Sequence, residues 1–511
     1  MDTIGFLISN GRSAGTSTEI LAKEIYLDYA FSAGYWSSTE NSENNAWNVN
    51  FSNGNTNNNN KYNSNAVRAV AALGLEVKIG WLEAYHDCCS NKKSSFDCNR
   101  YRTQYELDLW LLIYEVYTKT YKPGPSTCFI VTFPKLREVF AAAFRDRIVH
   151  HWICLRLNPL FEARFNAQGN VSHNCRKGFG TRSAVSSFNR DVCLVTQHYT
   201  REAHIGRFDI KAFFMSISPQ ILWDLLRPFI IENYKGDDID TLLYLTETVI
   251  MNRPQENCIK RSPEELFKAL PPGKSLFNSE TGVPIGNLPS QLFANFLLSF
   301  LDEAMAKLEK LIGPEDFRYE RYVDDFTVVC VWQEVIVSLH PIIEQLLLGK
   351  MGLTLHPDKL YLQEATKGAA FVGSVVKQGR VYLSNRTVHG LHMALDTLQD
   401  ICLEIVEKGE DKYRLKLLEH TVSSVNSYLG FTVHCNAYNV RRQAFANIDP
   451  RCWQICYVKR YTLACVKIKK KYKLKNYLVS KEVKDYDMVL RKRKTRQHSK
   501  KNNAGASTAH G

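Results

Sequence analysis

Phe317-Arg318-Tyr319-Glu320-Arg321-Tyr322-Val323-Asp324-Asp325-Phe326-Thr327-Val328-Val329-Cys330 is the stretch on which the reading of this chain turns. Two runs rich in aromatic and β-branched residues flank a short acidic centre, a pattern that predicts strand, tight turn and strand. A lone Asp-Asp pair is usually a turn or a helix cap. Here Asp324 and Asp325 lie between apolar strands and directly follow Tyr322. Upstream, Gly206-Arg207-Phe208-Asp209-Ile210 is another short strand-like run, with its acid at the carboxyl end and the aromatics Phe213 and Phe214 close behind.

A hairpin can present Asp324 and Asp325 together while Asp209 supplies a third carboxylate from a neighbouring strand. Three carboxylates held closely repel one another without a counter-charge. Oxygen ligands of this kind suit magnesium. Two such ions, about 4 Å apart, are the apparatus of phosphoryl transfer onto a 3′ hydroxyl: one lowers the pKa of the attacking hydroxyl and the other stabilises departing pyrophosphate. Two Mg2+ ions on Asp209, Asp324 and Asp325 are therefore expected.

The rest of the chain is consistent with that chemistry. Its 511 residues, 45% of them hydrophobic, can bury more than one core, and its net charge of +13 suggests a polyanionic partner. Nucleic acid fits better than a membrane, because no apolar run is long enough to span one. Part of the excess charge sits in the tail Arg491–Lys501, RKRKTRQHSKK. The fourteen cysteines accompany no secretory signal and read as reduced thiols in a cytoplasmic protein. His86, Cys88, Cys89 and Cys98 lack the second ligand pair of a zinc site.

Composition changes sharply near residue 75. About half of the residues from Asn41 to Asn65 are asparagine, which leaves too little apolar surface to offset ordering entropy, so residues 1–75 are expected to be disordered. Beyond them, LDLWLLIYEVYTKTY predicts an amphipathic helix ended by Lys122-Pro123-Gly124-Pro125. LREVFAAAFRDRIVHHWICLRL, from Leu136, predicts a second helix, followed by a basic, glycine-containing segment from His173 to Arg182. A loop-rich excursion is expected from about Asn233 to Glu280, then the loop Gly282–Gln291 opening the helix LFANFLLSFLDEAMAKLEKL. Helix is expected around Leu339–Lys350, a short strand at Phe371-Val372-Gly373, and a mainly helical, basic unit over Val388–Lys475.

These motifs together resemble reverse transcriptases from about Gly80 to Lys475: FDIKAFF as motif A, YVDD as motif C, MGLTLHPDK as motif D and FVGS as motif E. Ile285-Gly286-Asn287-Leu288-Pro289-Ser290-Gln291 resembles the motif B of reverse transcriptases from diversity-generating retroelements, since intron and retron relatives usually carry glutamine before the glycine and proline after the serine. The resemblance implies an α+β right-hand polymerase with fingers over 76–205, a palm of antiparallel sheet and helices over 206–376, a helical thumb over 377–480 and a basic disordered tail over 481–511. It implies RNA-templated synthesis of cDNA from deoxynucleoside triphosphates, with template RNA and a small basic accessory variability protein as partners.

The same resemblance distributes roles. Ile210 would add its backbone carbonyl to the metal ligands, and Lys359 would be the general acid for pyrophosphate. Phe214, beside Phe213, would exclude a ribose 2′ hydroxyl, the group that distinguishes RNA from DNA. Arg137 would lie over the incoming nucleotide, which Ile285, Gly286 and Gln291 would also border. Lys135, Arg176 and Lys177 would meet template or phosphate. Isoleucine at 285 cannot make the polar contacts of glutamine, so selection should loosen; the resemblance, and not this chemistry, further implies that Ile285 and Arg137 allow errors opposite template adenine. The leader from Gly34-Tyr35-Trp36 to Ala69-Val70 resembles the carboxyl end of lectin-like variable proteins, so translation is expected to start near residue 75, with the template repeat lying upstream. Competing readings are an intron- or retron-type reverse transcriptase, a lectin-like binding protein on residues 31–72, and a catalytically silent RNA-binding protein.

Overall fold

The computed structural model describes residues 75–90, 92, 95–132, 135–357, 360–458 and 462–477, together with strands β1 (Gly34–Glu40), β2 (Asn45–Asn50) and β3 (Thr56–Asn60). The fold is mixed α and β. The described residues divide between two compact units, the first drawn from Met1–Ala167, Lys211–Phe300 and Leu346–Thr354, the second from Gln168–Ile210, Leu301–Gln345 and Leu355–Gly511. Compactness thus interleaves segments that the contiguous ranges 76–205, 206–376 and 377–480 keep apart.

In the first unit, β1, β2 and β3 pair antiparallel in sequence order, with Tyr35 opposite Val49 and Trp47 opposite Asn58. The expectation of disorder for residues 1–75 did not include this sheet. Strand pairing satisfies backbone N–H and C=O groups whatever side chains they carry, and composition does not report on that. The rest of the leader and the tail 481–511 lie outside the described residues.

The helices Leu75–Ser90 and Phe144–Ala167 meet through Trp81 and Trp152, both fully buried and stacked with centroids 5.0 Å apart. The Arg156 guanidinium covers Trp152 at 3.5 Å and pairs with Asp238 at 2.6 Å. Helix was expected from Leu136, but Arg137–Ala141 is a strand, β5, antiparallel to β4 (Ser126–Val131), which in turn runs parallel to β7 (Cys258–Lys260). Pairing with the adjacent strand β4, a backbone bond to distant Ile285 and burial of Phe140 override the local helical preference of the alanines, and helix begins only at Phe144. The expected loop-rich excursion after Asn233 also contains a helix, Ile239–Met251, whose Leu242, Leu245 and Ile250 are buried.

The second unit is built on a four-stranded antiparallel sheet, β10 (Tyr361–Glu364), β6 (His204–Asp209), β9 (Asp325–Cys330) and β8 (Phe317–Tyr322), in that spatial order. One face is apolar where Phe208 stacks on Phe326 at 5.2 Å, covered by the helix Gln333–Leu346. That helix approaches so closely that a Cβ on Gly206 would lie 2.4 Å from Ile336 Cγ2, so only glycine fits. On the other face, the helix Thr181–Val195 packs Phe188 and Val192 with Ile205 and Val329.

A short strand was expected at Phe371-Val372-Gly373. Phe371 does end a strand, but Val372-Gly373, with φ of +47° at Val372 and +81° at Gly373, is the turn between β11 (Ala369–Phe371) and β12 (Ser374–Lys377), which pairs in turn with β13 (Arg380–Leu383). Positive φ at both central residues is what a two-residue hairpin needs. Helices Asn385–Lys408 and Lys412–Thr432 then bury Leu391, Leu395, Leu398, Leu415, Leu418 and Val425 in a core of their own. Ser384 caps the first helix and Asp411 the second.

Candidate active site

The register of the sheet brings the predicted acids together. β6 and β9 pair with Asp209 opposite Asp325, and β8 and β9 pair with Tyr322 opposite Asp325, which leaves Val323-Asp324 as a two-residue turn. Directly opposed residues have Cα atoms about 4.5–5.5 Å apart with side chains on one face. Asp209, Asp324 and Asp325 are all half-buried, so solvent and ligands can reach them. Val323 holds φ of +57°, a conformation that a β-branched residue adopts only at a cost of about 1–3 kcal/mol. Its carbonyl accepts a 3.0 Å hydrogen bond from Arg321 Nη1.

Arg321 is itself fixed by its neighbours. It is wholly buried; its Nε donates to Asp302 Oδ1 at 2.7 Å and its Nη2 to Asp302 Oδ2 at 2.5 Å, while the Tyr319 hydroxyl donates to Asp302 Oδ1 at 3.0 Å. Burial opposes the Arg321 charge, but the Asp302 carboxylate more than offsets it and holds the guanidinium above its usual range. Burial, then the charge of Asp302, push the Tyr319 hydroxyl far up, so it stays a neutral donor. On the outer edge, Arg321 N–H donates to the Val171 carbonyl at 2.8 Å, and His173 N–H donates to the Arg321 carbonyl at 3.1 Å. Sequence reading missed this network. Its signal was an aspartate, Asp302, directly after the apolar run of its helix, and an arginine within an otherwise strand-forming run.

A second pair occupies the open face: Arg207 Nη2 donates to Asp325 Oδ1 at 3.3 Å and Oδ2 at 3.2 Å, with both side chains about 30% exposed. Among the described residues, no group of three His, Cys, Asp or Glu side chains is gathered to hold a metal ion. The donor type still suits a hard divalent cation: Asp209 and Asp325 are paired across one sheet end, Asp324 lies on the adjoining turn, and Asp325 already binds a cationic group. Ile210, beside Asp209, is buried and forms an isolated bridge with Leu355.

The predicted nucleotide-side residues gather in the first unit. Phe213 is buried and meets Phe214 edge-on at 5.2 Å. Val283 N–H donates to the Phe214 carbonyl at 2.9 Å, and Phe140 N–H donates to the Ile285 carbonyl at 2.8 Å. Backbone hydrogen bonds thus join the Phe213–Phe214 turn, the Gly282–Gln291 loop and β5, whose first residue is exposed Arg137. Gly286 holds φ of +115°, and a Cβ there would lie 2.8 Å from the Phe140 carbonyl oxygen, so glycine is required. The Ile285 side chain is partly buried against a small core of Cys128, Phe140, Met215 and Leu276, a packing role that the sequence reading did not assign. Gln291 is exposed at the start of the helix Leu288–Ile312.

Of the residues expected at template or phosphate, Lys135 and Lys177 are exposed. Arg176 is not available for that role. It is buried, donates to the Ser172 carbonyl at 2.9 Å and to Asn170 Oδ1 at 2.7 Å, and lies over the Phe179 ring at 4.0 Å. Its desolvated guanidinium braces the loop before helix Thr181–Val195. Lys359 lies outside the described residues.

No protein-family model and no curated protein matches the chain. Among solved structures, apo telomerase from Candida tropicalis aligns with a TM-score of 0.40 and 13% identity, over 64% of this chain and 58% of that one. Telomerase from Candida albicans in complex with a TWJ fragment of telomeric RNA aligns with a TM-score of 0.35 and 14% identity, over 64% of this chain and 56% of that one. The chain spans little more than half the length of these telomerases. No helix among the described residues is long and apolar enough to cross a membrane.

Proposed function

We propose that this protein is an RNA-directed DNA polymerase whose centre is Asp209, Asp324 and Asp325. The observation that carries the reading is the pairing of Asp209 with Asp325, with Asp324 on the turn beside them. Bound divalent cations would be held by these carboxylates and would supply charge neutralisation and hydroxyl activation. The chain's own contribution is to hold the acids in register. Buried Arg321 fixes the strained turn, and Arg207 holds Asp325 until a metal competes for it. In this reading Arg137, Phe214 and the Ile285–Gln291 loop border the nucleotide, and the chain is organised as fingers, palm and thumb.

The finer reading is a retroelement polymerase that diversifies a gene by copying a template-repeat RNA with errors at adenine. Ile285 in place of glutamine supports it. Primer extension on an RNA template with deoxynucleoside triphosphates and Mg2+ tests the reaction, with Asp324→Asn and Asp325→Asn as controls. Equal extension by wild type and both variants would refute it. Sequencing cDNA from Ile285→Gln tests the subclass: an unchanged adenine error frequency removes Ile285 from the mechanism.

A further inference from the structure

After the helical core of the second unit, the chain forms a small hairpin, β14 (Cys456–Val458) and β15 (Val466–Ile468). Its inner residues Cys456, Val466 and Ile468 join that core. Asn426 clamps it to the helix Lys412–Thr432, with Asn426 Nδ2 donating to the Val466 carbonyl at 2.9 Å and Val466 N–H donating to Asn426 Oδ1 at 2.7 Å. The outer face is different in kind. Tyr457 is 45% exposed and pairs directly opposite exposed Lys467. Beside them opens a groove of about 470 Å³, bounded also by Glu419, Val422 and Lys473.

The segment closing this groove, Lys467-Ile468-Lys469-Lys470-Lys471-Tyr472-Lys473-Leu474-Lys475, has a lysine at six of nine positions and no acid, and all six lysines are exposed. Among the described residues, Glu419 is the one carboxylate lining the groove, and its Oε1 accepts from Leu474 N–H at 3.0 Å. An exposed aromatic ring on a hairpin clamped by Asn426, beside a lysine row, suits a ligand with planar bases on an anionic backbone. A lipid surface would need exposed aliphatic side chains, and here Val466 and Ile468 face inward. A purely electrostatic partner would leave the ring unused.

We propose that this groove binds a single-stranded polynucleotide, with a base stacked on Tyr457, phosphates on Lys467 and Lys473, and Glu419 able to accept from an exocyclic amine. This site is formed by elements other than the carboxylate hairpin, and it does not depend on the polymerase reading.

The test is fluorescence anisotropy of the full chain with a labelled 20-nucleotide single strand, as RNA and as DNA of the same sequence, without nucleoside triphosphates. Tyr457→Ala should weaken single-strand binding about tenfold, since stacking on an aromatic contributes about 1–3 kcal/mol per base. Tyr457→Phe should keep the affinity, and duplex of the same sequence should bind both variants alike. A double Lys467→Gln, Lys473→Gln variant should flatten the log-log salt slope by about 1.4, two single-strand phosphates' worth. The arm that loses more on Tyr457→Ala identifies RNA or DNA as the ligand. Unchanged affinity in Tyr457→Ala, equal losses on single strand and duplex, or a Tyr457-dependent attachment to phosphatidylserine vesicles in place of oligonucleotide, would each overturn the proposal.

Discussion

Arg321 with Asp302 and Arg207 with Asp325 are the same ion pair built in opposite surroundings. The first is wholly buried under the hairpin, with the guanidinium's remaining hydrogen bond on the Val323 carbonyl. The second lies on the other face of the same sheet, with exposures of 28% and 30% and bonds of 3.2–3.3 Å. Charges out of water must keep their partners, so the buried pair behaves as fixed scaffolding. Charges that still touch water exchange partners at little cost, so the exposed pair can release its aspartate to another cation.

The sharpest way to break this comparison is at the acids themselves. Asp324→Asn should reduce primer extension roughly 1000-fold, because a lost metal ligand forfeits several kcal/mol of transition-state stabilisation. Its thermal unfolding should stay near wild type, since the residue is half-exposed on a turn. Retained extension would sink the assignment of the centre.

Next in size is the buried pair. Asp302→Asn leaves the Arg321 charge inside the protein without a counter-ion and should destabilise it by about 3–5 kcal/mol in urea unfolding. Adding Arg321→Met should recover part of that loss. If the single variant unfolds like wild type, Arg321 does not carry the turn.

A third test lies one residue along β8. Burial pushes Asp191 and Glu320 up, to about 8, and burial holds His173, 2.6 Å from Glu320, down at about 4 and therefore neutral. These folded carboxyls bind protons that the unfolded chain has already released. Their stabilisation is full below the ordinary carboxylate range and is lost as pH rises towards about 8. Melting temperature should fall over that window, and Asp191→Asn should flatten the fall. An identical pH profile in the variant would show that the pair does not set it.

The smallest effect belongs to the exposed pair. Arg207→Met should change stability by less than about 1 kcal/mol. Removing a positive charge beside the acids should also tighten Mn2+ binding, read by electron paramagnetic resonance. Weaker binding would mean that Arg207 positions Asp325 for the metal and does not compete with it.

The hairpin and its acids were legible because a strand's alternation, a two-residue turn and its acids are all local. β5 was misread as helix because its strand character comes from β4 and from a backbone bond between Phe140 and Ile285, far along the chain. Arg176 read as a basic side chain for phosphate although its partners Ser172, Asn170 and Phe179 lie within six residues, because residue type does not say how a loop folds back on itself. The Phe371–Ser374 turn was missed because valine gives no hint of positive φ.

By itself the sequence determined the chemical inventory: three carboxylates at spacings that strands and a tight turn can gather, and a basic balance suited to a polyanion. These depend on residue type and local periodicity. Only the tertiary structure decided that Asp209 stands opposite Asp325, that one arginine supports their turn while another holds an acid in exchange, and that Tyr457 sits exposed beside a lysine row. Those outcomes depend on long-range pairing and on which charges lose contact with water.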